Sequence, residues 1–135
     1  MKLGTFGAVI SFALELEDQA LGLYESLDST LSPQLLKGSQ KRINRLRRIR
    51  QELVTEMILE PITEVDSDDY IVSIPAGTDE ADKLKGAIRL EENMGRYYSK
   101  SAPLIPMKEV ERAFVRLAKE NEMRVASINK LIASA

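Results

Sequence analysis

The chain has 135 residues, of which 44% are hydrophobic and 30% charged, and its formal net charge at pH 7 is -2. These values are typical of one globular domain with its own core, and the charge gives no reason to expect polyanion binding. The absence of cysteine and histidine excludes disulfides, thiolate nucleophiles, cysteine zinc sites and Ser-His-Asp catalysis. Any metal site must therefore use carboxylates, carbonyls and water, which favour hard cations.

An apolar run at residues 5–14 resembles the core of a signal peptide. Its apolar positions, however, continue in phase to Glu17 and Tyr24, and no small-residue cleavage site follows. No apolar run approaches the length of a membrane span. We therefore expect a soluble, cytoplasmic protein with no membrane partner and a single domain covering residues 1–135.

Helical periodicity predicts two helices in the first half of the chain. The first covers about residues 5–29, and its inward stripe is Phe6, Ile10, Ala13, Glu17, Ala20, Tyr24 and Leu27. The second opens with Ser32 as the N-cap and Pro33 at the first helical position, and it runs to about Glu60 because Pro61 cannot continue it. Its predicted inward stripe is Leu36, Ile43, Arg47, Arg50, Val54 and Met57.

Two further helices are predicted in the second half. The third starts near Thr78 and Asp79, both good capping residues, with Leu84, Ala87, Glu91, Met94 and Tyr98 inward. Pro103 and Pro106 interrupt the chain. The fourth helix then runs to the C-terminus with these residues inward: Val110, Phe114, Leu117, Asn121, Arg124, Ile128 and Leu131.

The segment 61–77 between the second and third helices is too long for a simple turn in a compact bundle. Extended, it reaches roughly 55 Å, whereas a helix of the predicted second helix's length spans roughly 39 Å. It is therefore long enough to cross the bundle. We expect two antiparallel helical hairpins joined by this crossover, with residues 70–74 forming an extended strap over a seam.

A pattern that occurs twice supports this arrangement. The segment from Ala13 to Gln19 returns 74 residues later from Ala87 to Asn93, and Tyr24 returns as Tyr98. A gap-free repeat of this kind indicates two hairpins related by a pseudo-two-fold axis. It also places polar residues on the apolar stripes, namely Glu17, Glu91, Arg50 and Arg124.

These segments resemble a known family. Residues 13–24 resemble the first helix, and residues 87–98 the third helix, of rubrerythrin-like members of the ferritin-like superfamily. Residues 117–124 resemble the Leu-Ala-x-Glu-Glu-x-x-His stretch of the fourth helix of that family. The resemblance implies a ferritin-like four-helix bundle, in which one Glu from each of helices one and three and a Glu-x-x-His pair from each of helices two and four hold two iron or manganese ions.

Only part of that ligand set is present here. Glu17 and Glu91 match the single carboxylates and are residual ligand positions, which we expect to be free of metal. In the fourth helix the Glu-x-x-His pair is replaced by Asn121 and Arg124. In the second helix the gap-free repeat puts Arg47 and Arg50 in the equivalent places, and a register shifted by one residue puts Leu46 and Ile49 there instead.

Two inward carboxylates without a metal are costly to bury unpaired, and arginine offers a fixed positive charge with a matching planar fork. The sequence therefore predicts that Arg50 and Arg124 stand where the relatives hold cations and bridge the two carboxylates. Three further side chains complete this predicted buried network. The full predicted set is Glu17, Tyr24, Arg50, Glu91, Tyr98, Asn121 and Arg124.

The expected function is a degenerate rubrerythrin-like protein with a non-enzymatic structural, regulatory or protein-binding role, no cofactor, and assembly as a homo-oligomer. The alternative is an iron- or manganese-binding oxidoreductase, or an iron-handling protein, with a carboxylate-only site that Glu15 or Glu120 completes. A third interpretation uses the basic residues of the second helix, Lys41 to Arg50, to bind an acidic protein partner. Nucleic-acid binding is not expected, because no aromatic residues are interleaved with these cations.

Overall fold

A computed structural model describes residues 1–52, 60–74 and 79–134, and in these residues the protein is an all-α four-helix bundle. The predicted fold class, an all-α four-helix bundle, is therefore confirmed. The helices are α1 (Phe6–Glu25), α2 (Ser32–Glu52), α3 (Glu80–Ser101) and α4 (Lys108–Ala133). Two short 3-10 helices, Ser67–Tyr70 and Ala102–Leu104, lie in the connections.

The starts of α1 and α3 follow the capping chemistry of the sequence. Thr5 Oγ1 accepts a hydrogen bond from the Ala8 amide at 3.1 Å at the start of α1, and Asp79 Oδ1 accepts one from Asp82 at 2.7 Å at the start of α3. Such side-chain caps satisfy amides that have no partner within the helix. Helix α2 begins at Ser32, the predicted N-cap, rather than at Pro33, and Met107 at the start of α4 makes no side-chain cap. Two acidic residues, Glu109 and Glu111, lie in the first turn of α4, where the helix dipole favours them.

Two helix ends differ from the prediction. Helix α1 stops at Glu25 rather than near residue 29, because the amide and hydroxyl of Ser26 both donate to the Leu23 carbonyl and close the last turn. The predicted end of the second helix cannot be compared in full, since Val54 and Met57 lie outside the described residues. Glu60 is not helical, and its carbonyl accepts a hydrogen bond from the Phe6 amide at 2.9 Å.

The helices pack as two hairpins. Helix α1 packs against α2, α3 packs against α4, and α1 and α3 join the hairpins along their length. Helices α2 and α4 are further apart, so their seam is bridged by side chains rather than by close backbone packing. Tyr97 at the α1–α3 seam donates to the Val9 carbonyl at 2.7 Å, which gives a polar partner to a fully buried ring.

The crossover begins beside the N-terminus of α1. The Leu3 amide donates to the Val65 carbonyl at 2.8 Å, and the Ile62 amide donates to the Gly4 carbonyl at 3.0 Å. Further along, Gln19 Nε2 donates to the Val72 carbonyl at 3.0 Å. The described part of the crossover therefore runs along α1 from its first residues towards its C-terminal half, as its length predicted.

The predicted strap at residues 70–74 is present in part. Tyr70 belongs to the 3-10 helix and is buried, while Ile71 is 68% exposed. Val72 and Ile74 pack against the core, and Ser73 is exposed. Alternating burial of this kind is what an extended chain produces over an apolar seam. Residues 75–77 of the predicted crossover lie outside the described residues.

The inward face of α2 differs from the prediction. Ile43 is buried as predicted and Leu36 is half-buried, whereas the predicted inward residues Arg47 and Arg50 are exposed. The other buried residues of this face are Leu35, Ser39, Arg42 and Leu46. The prediction for Arg50 was therefore wrong. The error arose because the repeat was assumed to continue without a gap into α2 and α4.

The two hairpins have different lengths beyond their polar centres. In the first hairpin 25 residues separate the paired Glu17 and Arg42, whereas 33 separate Glu91 and Arg124 in the second. The second hairpin is thus longer at its loop end, and the repeat in α2 and α4 runs at a larger offset than the repeat in α1 and α3.

None of the described helices is both long enough and apolar enough to cross a membrane.

Candidate functional site

The centre of the bundle contains two carboxylates with no exposed surface. Glu17 lies on α1 and Glu91 on α3, and each is 0% exposed. An ionised carboxylate in such a position is very unfavourable unless it is paired and hydrogen-bonded. The surrounding side chains supply both kinds of partner.

Arg42 of α2 is the main partner of Glu17. Its Nε lies 3.1 Å from each Glu17 oxygen and its Nη2 lies 2.8 Å from Oε2, which is a bidentate contact. Nη2 also donates to Asn121 Oδ1, and Nη1 donates to the Leu117 carbonyl and to Glu120 Oε1. All five N–H groups of a guanidinium are satisfied in this way, which explains how Arg42 is buried to 2% exposure.

Arg124 of α4 is the partner of Glu91. Its Nη1 lies 3.3 Å from Glu91 Oε2 and 3.3 Å from Ser39 Oγ. Its Nη2 lies beside Gly38, where a Cβ atom would come within 2.5 Å of it. Gly38 therefore provides the space that this guanidinium occupies, and the side chain keeps 13% of its surface exposed.

The remaining contacts of the carboxylates cross between hairpins. Tyr98 of the second hairpin donates to Glu17 Oε2 at 2.6 Å, and Tyr24 of the first donates to Glu91 Oε2. Asn121 Nδ2 donates to Glu91 Oε1 at 2.7 Å. Each carboxylate thus binds one arginine from its own hairpin and one tyrosine from the other.

The two arginines are related in the same reciprocal way. Arg42 donates to Asn121, which lies three residues before Arg124, and Arg124 donates to Ser39, which lies three residues before Arg42. Ser39-x-x-Arg42 in α2 therefore corresponds to Asn121-x-x-Arg124 in α4. These are the i and i+3 positions of one helix face, the spacing of the Glu-x-x-His pair in dimetal carboxylate bundles.

The electrostatics favour a charged arginine and neutral tyrosines. Burial lowers the pKa of Arg42, but the charge of Glu17, the influence of Tyr98, the hydrogen bonds to Glu17 and the charge of Glu91 together outweigh it, and the pKa is raised overall. Burial raises the pKa of Tyr98 well above its usual value, and the charge of Glu17 raises it further. Burial and the charge of Glu91 do the same to the pKa of Tyr24. Both hydroxyls therefore stay protonated and act as donors.

The residues present do not fit the dimetal centre that the resemblance implies. Each of the four oxygens of Glu17 and Glu91 accepts a hydrogen bond from a side chain, so a cation would have to displace those donors. Two guanidinium charges stand beside the carboxylates as well. Within the described ranges no three Asp, Glu, His or Cys side chains converge as a metal site requires.

Two openings approach this cluster from outside. A cleft of about 550 Å³ between α3 and α4 has Glu91 and Asn121 in its wall. A smaller cavity of about 270 Å³ between α2 and α4 is lined by Gly38, Arg42 and Arg124. The cluster is thus buried but close to two solvent-filled depressions.

The structure brings together all of the predicted site residues except Arg50. Glu17, Glu91, Asn121 and Arg124 occupy the predicted centre, and Tyr24 and Tyr98 donate to the carboxylates as predicted. The prediction missed Ser39 and Arg42 as members of the cluster. It also missed the ion pair between Glu120 and Arg42.

The alternative register, with Leu46 and Ile49 at the former ligand positions, was wrong as well, because Ser39 and Arg42 occupy those positions. Leu46, which is buried, and Ile49, which is half-buried, lie further along α2. The sequence offered no local signal for Arg42, because a polar residue precedes every arginine of α2 by three positions, and Asn44-x-x-Arg47 matches Asn121-x-x-Arg124 more closely than Ser39-x-x-Arg42 does.

No protein-family model matches this chain, and no curated protein matches its sequence. Among solved structures, a hypothetical protein from Pyrococcus furiosus is similar to it, with a TM-score of 0.67 and 17% sequence identity. The match covers 93% of this chain and 86% of that one. At this identity the likeness concerns the fold alone.

Proposed function

We propose that this protein is a rubrerythrin-like member of the ferritin-like superfamily that has lost its dimetal centre and works without catalysis. Its role is then structural, regulatory or protein-binding, within the cytoplasm. The sequence supports this through the segments around Glu17, Glu91 and Asn121, and the four-helix bundle with its crossover is compatible with it.

One observation carries the proposal: Arg42 and Arg124 hold the two carboxylates that a dimetal protein uses as ligands. A guanidinium cannot be deprotonated in a protein and has no redox chemistry. It neutralises the carboxylates permanently, so nothing remains at the centre that binds oxygen or exchanges electrons. The cluster then serves to fix the register of the four helices.

Addition of ferrous iron in air tests this proposal. The protein is expected to leave the rate of iron oxidation at the buffer value, and its absorption spectrum is expected to stay unchanged. Accelerated oxidation that Glu17→Ala abolishes would instead favour the alternative function, an iron- or manganese-dependent oxidoreductase with a carboxylate-only site.

The proposal includes assembly with further copies of the chain. Large apolar side chains lie on the surface, among them Met123 at 69% and Ile71 at 68% exposure, and they are able to contribute to such an interface. Sedimentation equilibrium tests this point: a homo-oligomer is expected, and a monomer at all accessible concentrations would remove it from the proposal.

The exposed cations of α2 favour a second candidate function, the binding of an acidic protein partner. Lys37, Lys41, Arg47, Arg48 and Arg50 are all exposed, and α2 has no acidic residue before Glu52. Binding of this kind is expected to weaken steeply with salt. Arg47→Glu combined with Arg50→Glu is expected to abolish it, since neither side chain belongs to the buried cluster.

A further inference from the structure

A second cavity in the α2–α4 seam lies outside the buried cluster. Its volume is about 350 Å³, and four arginines line it, Arg45 and Arg48 from α2 with Arg112 and Arg116 from α4. Its apolar lining comes from Ile49, Met107, Val110 and Ala113. It thus combines an apolar floor with cationic walls on both helices.

The arginines are placed where they repel one another. Arg45 and Arg48 are three residues apart on one helix, and Arg112 and Arg116 are four apart on the other, spacings at which like charges are unfavourable. Among residues 1–52, 60–74 and 79–134, no carboxylate lies within ion-pair distance of Arg48, Arg112 or Arg116. Glu52, Glu109 and Glu120 lie three or four residues from these arginines along the helices and moderate the repulsion, but none of them forms a close ion pair with Arg48, Arg112 or Arg116.

Arg45 is only partly compensated. Its Nη1 lies 3.8 Å from Glu120 Oε2, which is too long for a hydrogen bond. The same nitrogen is enclosed and has no hydrogen-bond partner among the described residues. Glu120 is closer to Arg42, at 3.2 Å. One carboxylate therefore serves two guanidiniums. The Arg45 side chain is 33% exposed, so its accessible atoms are able to contact a further acceptor.

The charges around the cavity indicate what it accommodates. Glu52 and Glu109 also line it, so among the lining residues four positive charges stand against two negative ones. Glu120, which Arg45 shares with Arg42, offsets part of this excess, and positive charge still predominates. A guanidinium fork matches carboxylate and phosphate oxygens in a bidentate manner.

We propose that this cavity binds a small organic dianion with an apolar body, either a phosphate monoester or a dicarboxylate. The head group binds the arginines, and the body packs on Ile49 and Val110.

Isothermal titration at low salt with phenyl phosphate as the probe tests this site. Phenyl phosphate is expected to bind with a stoichiometry of one per chain, about tenfold more tightly than inorganic phosphate, and phenol is expected not to bind. Isophthalate provides the dicarboxylate arm, and the tighter of the two dianions identifies the head group. Absence of saturable binding by both dianions would overturn the proposal.

Variants separate a specific site from general attraction to a basic surface. Arg112→Gln with Arg116→Gln is expected to weaken phenyl phosphate binding at least about tenfold. The matched control, Arg47→Gln with Arg50→Gln, removes the same charge from exposed positions that do not line the cavity, and it is expected to leave binding unchanged. Equal losses in the two pairs, with both proteins folded by circular dichroism, would overturn the proposal.

The apolar half of the site has its own test. Ala113→Leu adds side-chain volume to the cavity wall without changing any charge. It is expected to weaken phenyl phosphate binding several-fold and to leave inorganic phosphate binding unchanged. Unaltered binding of both would contradict a ligand body packed in this cavity. The site is separate from the buried cluster, so these results do not depend on the fate of the proposed function.

Discussion

Arg124 donates a hydrogen bond to Ser39 across the α2–α4 seam, and Ser39 lies one helical turn before the fully buried arginine, Arg42. Arg42 makes the matching contact to Asn121, one turn before Arg124. The polar centre is therefore a reciprocal network, in which each hairpin supplies one carboxylate, one arginine, one tyrosine and one small polar residue. Its symmetry follows the pseudo-two-fold relation of the hairpins.

Loss of one partner of this network is expected to be severe. Arg42→Ala leaves Glu17 buried without its bidentate partner, and breaking a buried pair in this way costs about 3–5 kcal/mol. The exposed Arg50 of the same helix is the matched control, because Arg50→Ala removes an equal charge from the surface and is expected to change stability by less than about 0.5 kcal/mol. Urea denaturation measures both. Similar losses for the two variants would show that Arg42 does not hold the centre.

Gly38 is expected to gain less from a methyl group than another helical glycine does. A Cβ there meets Arg124 Nη2 at 2.5 Å, so the end of the Arg124 side chain must shift, which weakens its contact with Glu91 and offsets the helix-propensity gain of about 0.5–1 kcal/mol. Gly22 lies in α1 with nothing within 4 Å of its added Cβ, and Gly22→Ala is expected to keep that gain in full. Thermal unfolding compares the two. A Gly38→Ala variant stabilised as much as Gly22→Ala would contradict the close approach of Arg124.

Ionisation of the buried tyrosines is expected to set the highest pH at which the protein stays folded. Burial raises the pKa of Tyr24, Tyr97 and Tyr98 above the value of about 10 that tyrosine has in an unfolded chain. The folded state therefore binds these protons more tightly, so their contribution to stability is complete below pH of about 10 and is lost as the pH rises further. Tyrosinate absorbance is expected to appear together with loss of the helical circular dichroism signal. Early ionisation of these three rings in a folded protein would contradict their burial.

The correspondence of the helix faces predicts that a metal site can be rebuilt. Ser39→Glu, Arg42→His, Asn121→Glu and Arg124→His together create a Glu-x-x-His pair on α2 and another on α4, facing Glu17 and Glu91. This variant is expected to bind manganese or iron, measured by titration calorimetry. A control with Arg47→Glu and Arg50→His in place of the α2 changes is expected not to bind. A folded first variant without metal affinity would show that the assigned helix faces are incorrect.

The sequence was sufficient for the architecture and for most of the polar centre. The spacing of hydrophobic residues and the capping residues located the four helices. The gap-free repeat of α1 and α3 identified the inward polar residues Glu17, Tyr24, Glu91 and Tyr98. The error at Arg50 has a physical origin. The second hairpin is eight residues longer between its Glu and Arg, close to two helical turns of about seven residues, so the apolar stripes of α2 and α4 still match at the wrong offset.

Periodicity was also unable to select one cation from the basic run of α2. Arg42, Arg45, Arg47, Arg48 and Arg50 lie within three turns, and a stripe drawn through Ile43 passes close to several of them. Only the packing of α2 against α1 and α4 decides which one is inward. Local spacing does not help either, because the Asn-x-x-Arg pattern of α4 is matched in α2 by Asn44 and the exposed Arg47 rather than by Ser39 and Arg42.

Elemental analysis of the purified protein, expressed in medium rich in iron and manganese, tests the central claim most directly. If Arg42 and Arg124 stand where dimetal carboxylate bundles hold their cations, neither metal is expected above traces, before or after dialysis. One or two tightly held ions per chain, released by Glu17→Ala or Glu91→Ala, would contradict the account.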